Sequence, residues 1–423
     1  MRHMIFLLMT AALMAGEPRQ IGVSSSSLAT AFNNSRKVAR TLADRRVVVY
    51  QDLVDGYDAV MLTFSDDGRT WSEPRLLAFG YSPTVAVSNA DTFYVLWDSS
   101  KDNGLCLAAF HADEIGDRFN SGRRMIIPDE RDGYRRRLPS MDVDEAFVHL
   151  VFHSITGADS RVVYYAVKRD LSPIPGLSPF ALTPGIDARD AVIAADLEYE
   201  PGRVNMLWTI DKGEWSNLVY CAFDLKTFVR NGAMDSTALR HHLTVENPPQ
   251  ILEKTEGCAY PSLSVRNDHN HLQLLTCAWD HHSHLQVAWA IADSYDAGQV
   301  DLSFYETNLY PASASPMPSV DDIFVPSSSC AIVWQNDGGI QYGQTFRGAV
   351  MKPFFDVSQS AVAAFSPSVC YKTFRADSFD VVWTESAGDR YRVMYRRMAK
   401  VYGTDGVRAS AQEPKDFRFM SVS

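Results

Sequence analysis

Short apolar runs separated by polar turns recur along almost the whole chain in one repeating order. In each repeat an apolar strand is followed by a turn, a second strand that ends in an aromatic residue, a polar loop and a third strand. The second strands are rich in β-branched and aromatic residues, which is typical of β-structure. Their closing aromatic residues align in seven copies: Tyr50, Trp97, Phe152, Trp208, Trp279, Trp334 and Trp383. Spacings of 47 to 71 residues between them predict one supersecondary unit per repeat.

The first strand of the repeat has its own signature. Two copies, near Arg36 and Asp190, are weak, and the others open with Pro followed by Ser or Thr: Ser82-Pro83-Thr84, Leu138-Pro139-Ser140, Tyr260-Pro261-Ser262, Met317-Pro318-Ser319 and Ser366-Pro367-Ser368. Fourth strands are expected at residues 75–78, 124–127, 242–245 and 354–357. The pattern predicts an all-β fold, a single seven-bladed β-propeller of four-stranded antiparallel blades, with six or eight blades as alternatives. A pair of β-sandwiches is disfavoured because it gives no reason for the sevenfold recurrence.

Each end of the chain offers a strand that could complete a blade built from the other end. Residues 20–24 resemble the other fourth strands, and residues 417–422 alternate between apolar and polar side chains. Pairing across the ring would remove an exposed strand edge. No linker-like segment interrupts the repeats, so we expect one propeller domain over residues 17–423.

The first sixteen residues have the features of a secretory signal peptide. Arg2 precedes an apolar run over residues 5–14, and the small residues Ala15 and Gly16 follow it. The run is too short to span a bilayer, and no later run is long enough. We therefore expect cleavage near residue 16 and a secreted, periplasmic or cell-surface protein; a buried N-terminal strand or helix is the alternative.

A polar turn between the third and fourth strands of the first repeat reads F-S-D-D-G-R-T-W from Phe64 to Trp71. We expect Gly68 to take a positive φ, the Asp66 carboxylate to accept backbone N–H groups, and Trp71 to cover the turn. The stretch resembles the Asp-box of sialidase-like, BNR-repeat β-propellers, although Phe64 stands where that family has Ser or Thr. In such propellers this turn lies opposite the ligand-binding face, so Asp66, Gly68 and Trp71 are expected to be structural.

The second-to-third and fourth-to-first connections share one face, which we call the loop face, and most candidate functional residues fall there. An R-L-P motif at Arg137 looks like the Arg-Ile/Leu-Pro signature of sialidases, which implies a carboxylate-binding arginine, although no Phe or Tyr precedes it. Arg36, Arg137 and Arg189 occupy equivalent positions and could together bind the carboxylate of a sialic or uronic acid. The alternative is that these arginines pair with neighbouring aspartates such as Asp187.

Acidic, aromatic and histidine residues of the same face complete the candidate ligand site. Asp98 and Asp280 directly follow the aromatic residues of their second strands, and Asp211 lies in the corresponding loop of the fourth repeat. Trp215 could stack on a sugar ring. His282 belongs to a D-H-H-S-H run that could bind a metal ion, although solvated loop histidines are expected instead. The sequence singles out no pair of catalytic carboxylates, so no catalytic residue is assigned.

Charge and cysteine content narrow the possible partners. The 423-residue chain has a formal charge of −11 and a pI near 5.5, which argues against binding to nucleic acids or anionic membranes. The six cysteines lack C-x-x-C spacing and lie mostly in apolar segments, so buried thiols are favoured over disulfides, with Cys258 and Cys277 as one conceivable pair. We expect a monomer without cofactor or metal that binds a glycan or a protein; an exo-sialidase-type glycoside hydrolase is the alternative.

Overall fold

The computed structural model describes residues 16–32, 35–99, 101–116, 122–130, 133–157, 159–183, 187–195, 202–212, 215–252, 257–267, 272–293, 305–311, 315–322, 330–346, 349–358, 362–370, 378–399 and 420–421. These residues are folded almost entirely into antiparallel β-sheets. The prediction of an all-β protein with four-stranded antiparallel sheets is therefore confirmed.

The N-terminal third of the chain forms two joined four-stranded units. Its strands are β1 (Arg19–Ser24), β2 (Val38–Arg40), β3 (Arg46–Val54), β4 (Tyr57–Ser65), β5 (Arg75–Val87), β6 (Thr92–Ser99), β7 (Gly104–His111) and β8 (Arg123–Pro128). The first part of β5 pairs with β4 and its second part pairs with β6, so β5 ends unit 1 (β2–β5) and begins unit 2 (β5–β8).

Units 3 and 4 form separate sheets. Unit 3 contains β9 (Arg135–Val143), β10 (Phe147–Thr156), β11 (Asp159–Lys168) and β12 (Phe180–Ala181). Unit 4 begins with β13 (Ala188–Ala195), β14 (Arg203–Lys212) and β15 (Trp215–Asp224). An insertion follows, made of β16 (Val229–Arg230), β17 (Ala233–Met234), α1 (Ser236–His241) and a π-helical turn over His242–Glu246, before β18 (Gln250–Ile251) completes the unit.

The remaining strands build units 5 to 7. Unit 5 contains β19 (Cys258–Asn267), β20 (Leu272–His281), β21 (His284–Asp293) and β22 (Tyr305–Pro311). Unit 6 contains β23 (Ser319–Asp322), β24 (Cys330–Asn336), β25 (Gly339–Phe346) and β26 (Ala349–Asp356). Unit 7 contains β27 (Ala364–Val369), β28 (Ser378–Ala387) and β29 (Arg390–Ala399), and β1 is its fourth strand.

The two ends of the chain join different units. Strand β1 pairs antiparallel with β29, from Arg19 opposite Tyr395 to Ser24 opposite Tyr391, so residues 20–24 do complete a sheet made by the C-terminal part. The short β30 (Met420–Ser421) pairs instead with β18 and adds a fifth strand to unit 4. The other residues of the 417–422 segment lie outside the described ranges.

One predicted fourth strand is wrong. Residues 242–245 form the π-helical turn, and β18 takes the place of the expected strand. The Asp235 carboxylate accepts a hydrogen bond from the Ala238 N–H at 3.0 Å and so caps the start of α1. Leu239 and Leu243, one helical turn apart, are both buried. The cap and this spacing favour helix over the short apolar run that suggested a strand.

A β-bulge explains the Pro signature of the first strands. The residue before the Pro has a left-handed φ of 37° to 54° in all five copies, and Asp190 has the same conformation without a Pro. Five of the first strands shift register at this point, namely β5, β9, β13, β19 and β27. A bulge bends a strand and redirects the side chains beside it. The side chain of the residue just before the signature therefore departs from the regular alternation of its strand.

The Ser of the signature joins successive units. Its hydroxyl oxygen accepts a hydrogen bond from a backbone N–H of the next first strand in four places: Ser140 from Ile193 at 3.4 Å, Ser262 from Val320 at 3.1 Å, Ser319 from Val369 at 3.1 Å, and Ser368 from Lys37 at 3.0 Å. The last of these joins unit 7 to unit 1. Buried backbone N–H groups need hydrogen-bond acceptors. This need explains why Ser recurs at this position of the repeat.

Three consecutive residues, Ser35, Arg36 and Lys37, contact five other units and are called the hub. The five hydrogen bonds are Ser35 Oγ to the Pro139 carbonyl (2.6 Å), Arg36 Nη1 to Ser319 Oγ (3.0 Å), Arg36 Nη2 to the Leu263 carbonyl (3.1 Å), Lys37 Nζ to the Pro83 carbonyl (2.5 Å), and the Lys37 N–H to Ser368 Oγ (3.0 Å). Burial lowers the pKa of Lys37 to about 7. Units 2, 3, 5, 6 and 7 therefore all meet one short segment of unit 1.

The backbone of the turn from Phe64 to Trp71 is held by the carboxylate of Asp67, whereas the sequence predicted that of Asp66. Asp67 Oδ1 accepts the N–H groups of Arg69 and Thr70, both at 2.7 Å, and these bonds lower the pKa of Asp67 to about 2. The role predicted for Asp66 is wrong, because its Oδ1 pairs instead with Arg45 Nε. An Asp side chain bonds most readily to the N–H two residues further on, and from Asp67 that N–H belongs to the residue after the left-handed glycine.

The same turn packs against unit 7. Gly68 has the expected positive φ of 68°, and a β-carbon there would lie 2.7 Å from the Tyr395 hydroxyl. Trp71 meets the Tyr395 ring edge-on at 4.7 Å. Beside them Arg46 Nε donates to Asp380 Oδ1 at 3.1 Å, and both of these side chains are fully buried. The turn is thus part of the contact between units 1 and 7.

The cysteine prediction is confirmed, because all six residues are buried thiols. Cys258 lies opposite His281 and Cys277 opposite Leu263, so the two conceivable partners do not face each other. In the described part of the chain, no helix combines the length and apolar composition needed to cross a bilayer.

Candidate functional site

The crossing from unit 1 to unit 2 brings backbone and side chains together at the loop face. Strand β5 makes this crossing through Phe79, Gly80 and Tyr81, and Tyr81 lies opposite Asp98 of β6. A β-carbon on Gly80 would lie 2.2 Å from the Asp98 carbonyl oxygen. Only glycine allows so close an approach, and this closeness sets Tyr81 beside the end of β6.

Tyr81, Asp98 and Arg137 form one contact group, which we call the Arg137 cluster. Arg137 comes from β9, directly before the bulge of unit 3, and its Nη1 donates to Asp98 Oδ1. Its guanidinium carbon lies 5.0 Å from the centre of the Tyr81 ring. The Arg137 side chain is 20% exposed, whereas that of Asp98 is fully buried. The structure therefore brings together Asp98 and Arg137 from the predicted site residues.

Burial and charge set the protonation of the cluster. Burial raises the pKa of Asp98 to about 6, against the opposing effect of Arg137. Burial alone would lower the pKa of Arg137, but the hydrogen bond and charge of Asp98 outweigh it and raise that pKa. Burial, followed by the Asp98 charge, raises the pKa of Tyr81. Near neutral pH the cluster thus holds a cationic Arg137, a neutral Tyr81 and an Asp98 close to its titration point.

The other two predicted arginines lie in different surroundings. Arg189 is 60% exposed, and its Nη2 lies 2.9 Å from carboxylate oxygens of both Asp187 and Asp211. Arg36 is buried in the hub, where it also lies 3.8 Å from Asp321. Arg36, Arg137 and Arg189 therefore each face their own acidic partner and do not converge on one ligand carboxylate.

Asp280 and His282 are not part of the Arg137 cluster. The Asp280 carboxylate accepts hydrogen bonds from the Ser283 N–H at 2.8 Å and from Ser315 Oγ at 2.6 Å. His282 is an exposed turn residue whose ring packs against that of His281. Trp215 begins β15, but its side chain lies outside the described residues. Among the side chains that are described, no group of three or more His, Cys, Asp or Glu could hold a metal ion.

Sequence reasoning missed Tyr81 and a second contact group in unit 3. Tyr81 directly precedes the Ser82-Pro83 signature, as Arg137 precedes its own, so alignment of the repeats would have identified it. In unit 3 the Tyr134 hydroxyl donates to Asp159, and the Arg161 guanidinium lies 4.1 Å from the Tyr134 ring centre. Tyr134 stands in a loop outside the repeat pattern and carried no sequence signal.

Comparisons with known proteins bear on the fold. No protein-family model matches the chain, and no curated protein sequence matches it. The WD40 domain of coronin from Toxoplasma gondii is similar in structure, with a TM-score of 0.52 and 10% identity over 97% of this chain and 96% of that one. The polysaccharide lyase Uly1 aligns with a TM-score of 0.50 and 11% identity over 87% of this chain and 91% of that one.

Sialidases and neuraminidase-like proteins are also among the similar structures, at 7–13% identity. One is the Trypanosoma rangeli sialidase in complex with 2,3-difluorosialic acid, with a TM-score of 0.43 and 13% identity over 77% of this chain and 56% of that one. The similarity to the coronin WD40 domain supports a propeller-like fold, and at these identities nothing finer follows.

Proposed function

We propose that this protein is a closed seven-bladed β-propeller that binds an acidic glycan at the Arg137 cluster on its loop face. The seven four-stranded units, the β1–β29 pairing and the Ser368–Lys37 hydrogen bond support the closed ring. Structural similarity to a polysaccharide lyase and to sialidases makes a glycan the first ligand class to test. Fold alone does not assign function, so the proposal depends on the site.

The partly exposed side chain of Arg137, with its guanidinium fixed by two neighbours, is the observation that carries the binding proposal. Asp98 and the Tyr81 ring hold the guanidinium in one orientation, while 20% of the Arg137 side chain remains exposed at the loop face. A planar guanidinium fixed in this way can give two parallel hydrogen bonds to a carboxylate. The tyrosine beside it offers an apolar face and a hydroxyl to the rest of a sugar.

A glycoside hydrolase of exo-sialidase type is the second candidate. Its support is the placement of the Tyr81 side chain opposite the buried Asp98, because sialidases use a tyrosine nucleophile together with a carboxylate. Two features favour binding instead. The three predicted arginines do not converge, and the raised pKa of Tyr81 opposes formation of the phenolate nucleophile.

We also propose that the chain is exported after cleavage near residue 16. Gly16 is hydrogen-bonded to Arg397 through its N–H at 3.0 Å and accepts a bond from Arg396 Nε at 2.8 Å. Cleavage directly before Gly16 would keep both contacts with unit 7, whereas cleavage after it would remove them. N-terminal sequencing of protein recovered from outside the cytoplasm would test this, and an intact Met1 would contradict it.

Binding is tested by calorimetry with sialic acid, glucuronic acid and oligosaccharides that contain them. We expect Arg137→Ala to weaken binding at least tenfold, as loss of a charge-assisted hydrogen bond worth ~1.5–3 kcal/mol implies. Arg189→Ala is the matched control, since Arg189 is a more exposed loop-face arginine already paired with two aspartates. Absence of binding by the parent protein, or equal binding by Arg137→Ala, would contradict the proposal.

The hydrolase alternative has its own assay. Fluorogenic sialosides and a small panel of other glycosides are incubated with the purified mature protein and with Tyr81→Phe. Turnover that is lost in Tyr81→Phe but retained in Arg189→Ala would establish an enzyme. No turnover together with measurable binding would leave the binding function.

A further inference from the structure

Two exposed aromatic side chains lie beside the Arg137 cluster on the loop face. Tyr57 is 68% exposed and Phe79 is 38% exposed, and their rings meet edge-on at 6.1 Å. They are the exposed aromatic residues in the described part of the chain. A contiguous exposed apolar patch can mark a ligand-binding site, and no neighbouring segment of the described chain covers this pair.

The fold connects this pair to the Arg137 cluster through one strand. Phe79 is the last residue of β5 paired in unit 1, and Tyr81, two residues further on, lies in unit 2 against Arg137. Two residues of extended chain cover about 7 Å, which is of the order of one sugar ring. Tyr57, Phe79, Tyr81 and Arg137 thus form a track that runs along the β5 crossing.

The charge along the track is not uniform. At the Tyr57 end, Asp52 lies in the same cross-strand row as Phe79, because Ala59 is opposite both. Asp55 lies in the turn of the same hairpin, two residues before Tyr57. Carboxylates accept hydrogen bonds from hydroxyl groups but repel other anions. The aromatic end therefore suits a neutral, hydroxyl-rich ring, and the Arg137 end suits a carboxylate.

We infer that the protein binds an oligosaccharide with an acidic sugar at one end, which sits at Arg137, and neutral sugars beyond it, which stack on Phe79 and Tyr57. This inference rests on the proposed function, since it places the acidic sugar at the same Arg137 cluster. It goes further by assigning a second subsite of opposite character. Aromatic faces with a few placed polar groups are the usual lining of such ligand sites.

The test compares acidic sugars alone with the same sugars attached to neutral ones. Sialic acid is compared with sialyllactose, and glucuronic acid with glucuronosyl-xylotriose, by calorimetry on the full-length mature protein. For the acidic sugar that the protein binds, we expect the oligosaccharide to bind at least tenfold more tightly than the monosaccharide alone. A trimer of galacturonic acid should gain less, because its outer carboxylates meet the aspartates around Tyr57.

Variants separate the two subsites. The double variant Tyr57→Ala/Phe79→Ala should bring the oligosaccharide down to the affinity of its acidic monosaccharide and leave the monosaccharide unchanged. Ile126→Ala, which truncates a 49%-exposed side chain in unit 2, is the control and should alter neither affinity. Thermal unfolding of each variant checks that these surface changes leave the fold intact.

Other outcomes would contradict either the aromatic subsite alone or both subsites. Monosaccharide binding without an oligosaccharide gain, or a gain that survives in the double variant, would overturn the aromatic subsite and leave the Arg137 site standing. Absence of binding by every acidic sugar, alone or extended, would overturn the proposed function and the subsite together.

Discussion

The carboxyl group of Asp98 sets how far the positive charge of Arg137 is neutralised within the cluster. It is fully buried, its Oδ1 accepts a hydrogen bond from Arg137, and the Tyr81 hydroxyl is hydrogen-bonded to it. Burial disfavours the carboxylate and outweighs the hydrogen bonds from Arg137 and Tyr81 and the charge of Arg137, so the pKa of Asp98 rises to about 6. Above that pH the carboxylate neutralises Arg137, and below it the carboxyl is neutral and Arg137 keeps its full charge.

Acidic-glycan affinity should therefore increase as the pH falls from 7.5 to 5. Arg137 stays charged and Tyr81 stays neutral across this range, because both pKa values are raised; Asp129 is the other charged neighbour of Asp98. We expect a gain of up to ~10-fold, as the protonated fraction of Asp98 changes from a few per cent to about nine-tenths. Calorimetry across this range measures it, and Asp98→Asn should bind tightly at every pH. A flat profile in the parent protein would contradict the role of Asp98.

At the scale of elements, the turn between β4 and β5 shows how a motif can be recognised while its contacts are misassigned. The positive φ of Gly68 could be predicted, because it follows from residue type and position in the turn. The contact of Trp71 with Tyr395 could not, because it depends on how unit 7 packs against the turn. Adjacent Asp66 and Asp67 could not be told apart by composition. The difference is geometric, since the carboxylate of Asp67 reaches two N–H groups of the turn.

Substitution of each aspartate should separate them. Asp67→Ala removes two hydrogen bonds that hold the turn and should lower the free energy of unfolding by about 1 kcal/mol. Asp66→Ala is the matched control and removes one ion pair with Arg45 at a partly exposed position, worth less than about 0.5 kcal/mol. Urea unfolding of the two variants measures both values. Equal losses, or a larger loss in Asp66→Ala, would show that the turn is not held by Asp67.

For the whole molecule, the sequence predicted the repeat better than the site. The recurring aromatic positions and the Pro-Ser openers record local requirements, namely strand packing, a left-handed bulge residue and a hydroxyl acceptor for the next unit. The Arg137 cluster depends on contacts between β5, β6 and β9, which residue spacing alone does not specify. The placement of Arg36 was missed for the same reason, because its partners Leu263 and Ser319 are more than 200 residues away.

The hub gives Arg36 a role in stability instead of ligand binding. Its guanidinium, which is almost fully buried, donates to Ser319 Oγ and to the Leu263 carbonyl and faces Asp321, so it connects unit 1 with units 5 and 6. Arg36→Met keeps much of the side-chain volume but leaves these acceptors without their donor. Breaking a buried charged contact of this kind typically costs about 3 kcal/mol or more.

We therefore expect Arg36→Met to lower the free energy of unfolding by about 3 kcal/mol, measured by urea denaturation. Arg189→Ala is the comparison, because an exposed arginine paired with surface aspartates should cost less than about 1 kcal/mol. At a temperature where Arg36→Met is still folded, its affinity for acidic glycans should match that of the parent protein. Unchanged stability together with weakened binding would place Arg36 in the ligand site. It would contradict the assignment of Arg36 to the hub and of ligand binding to the loop face.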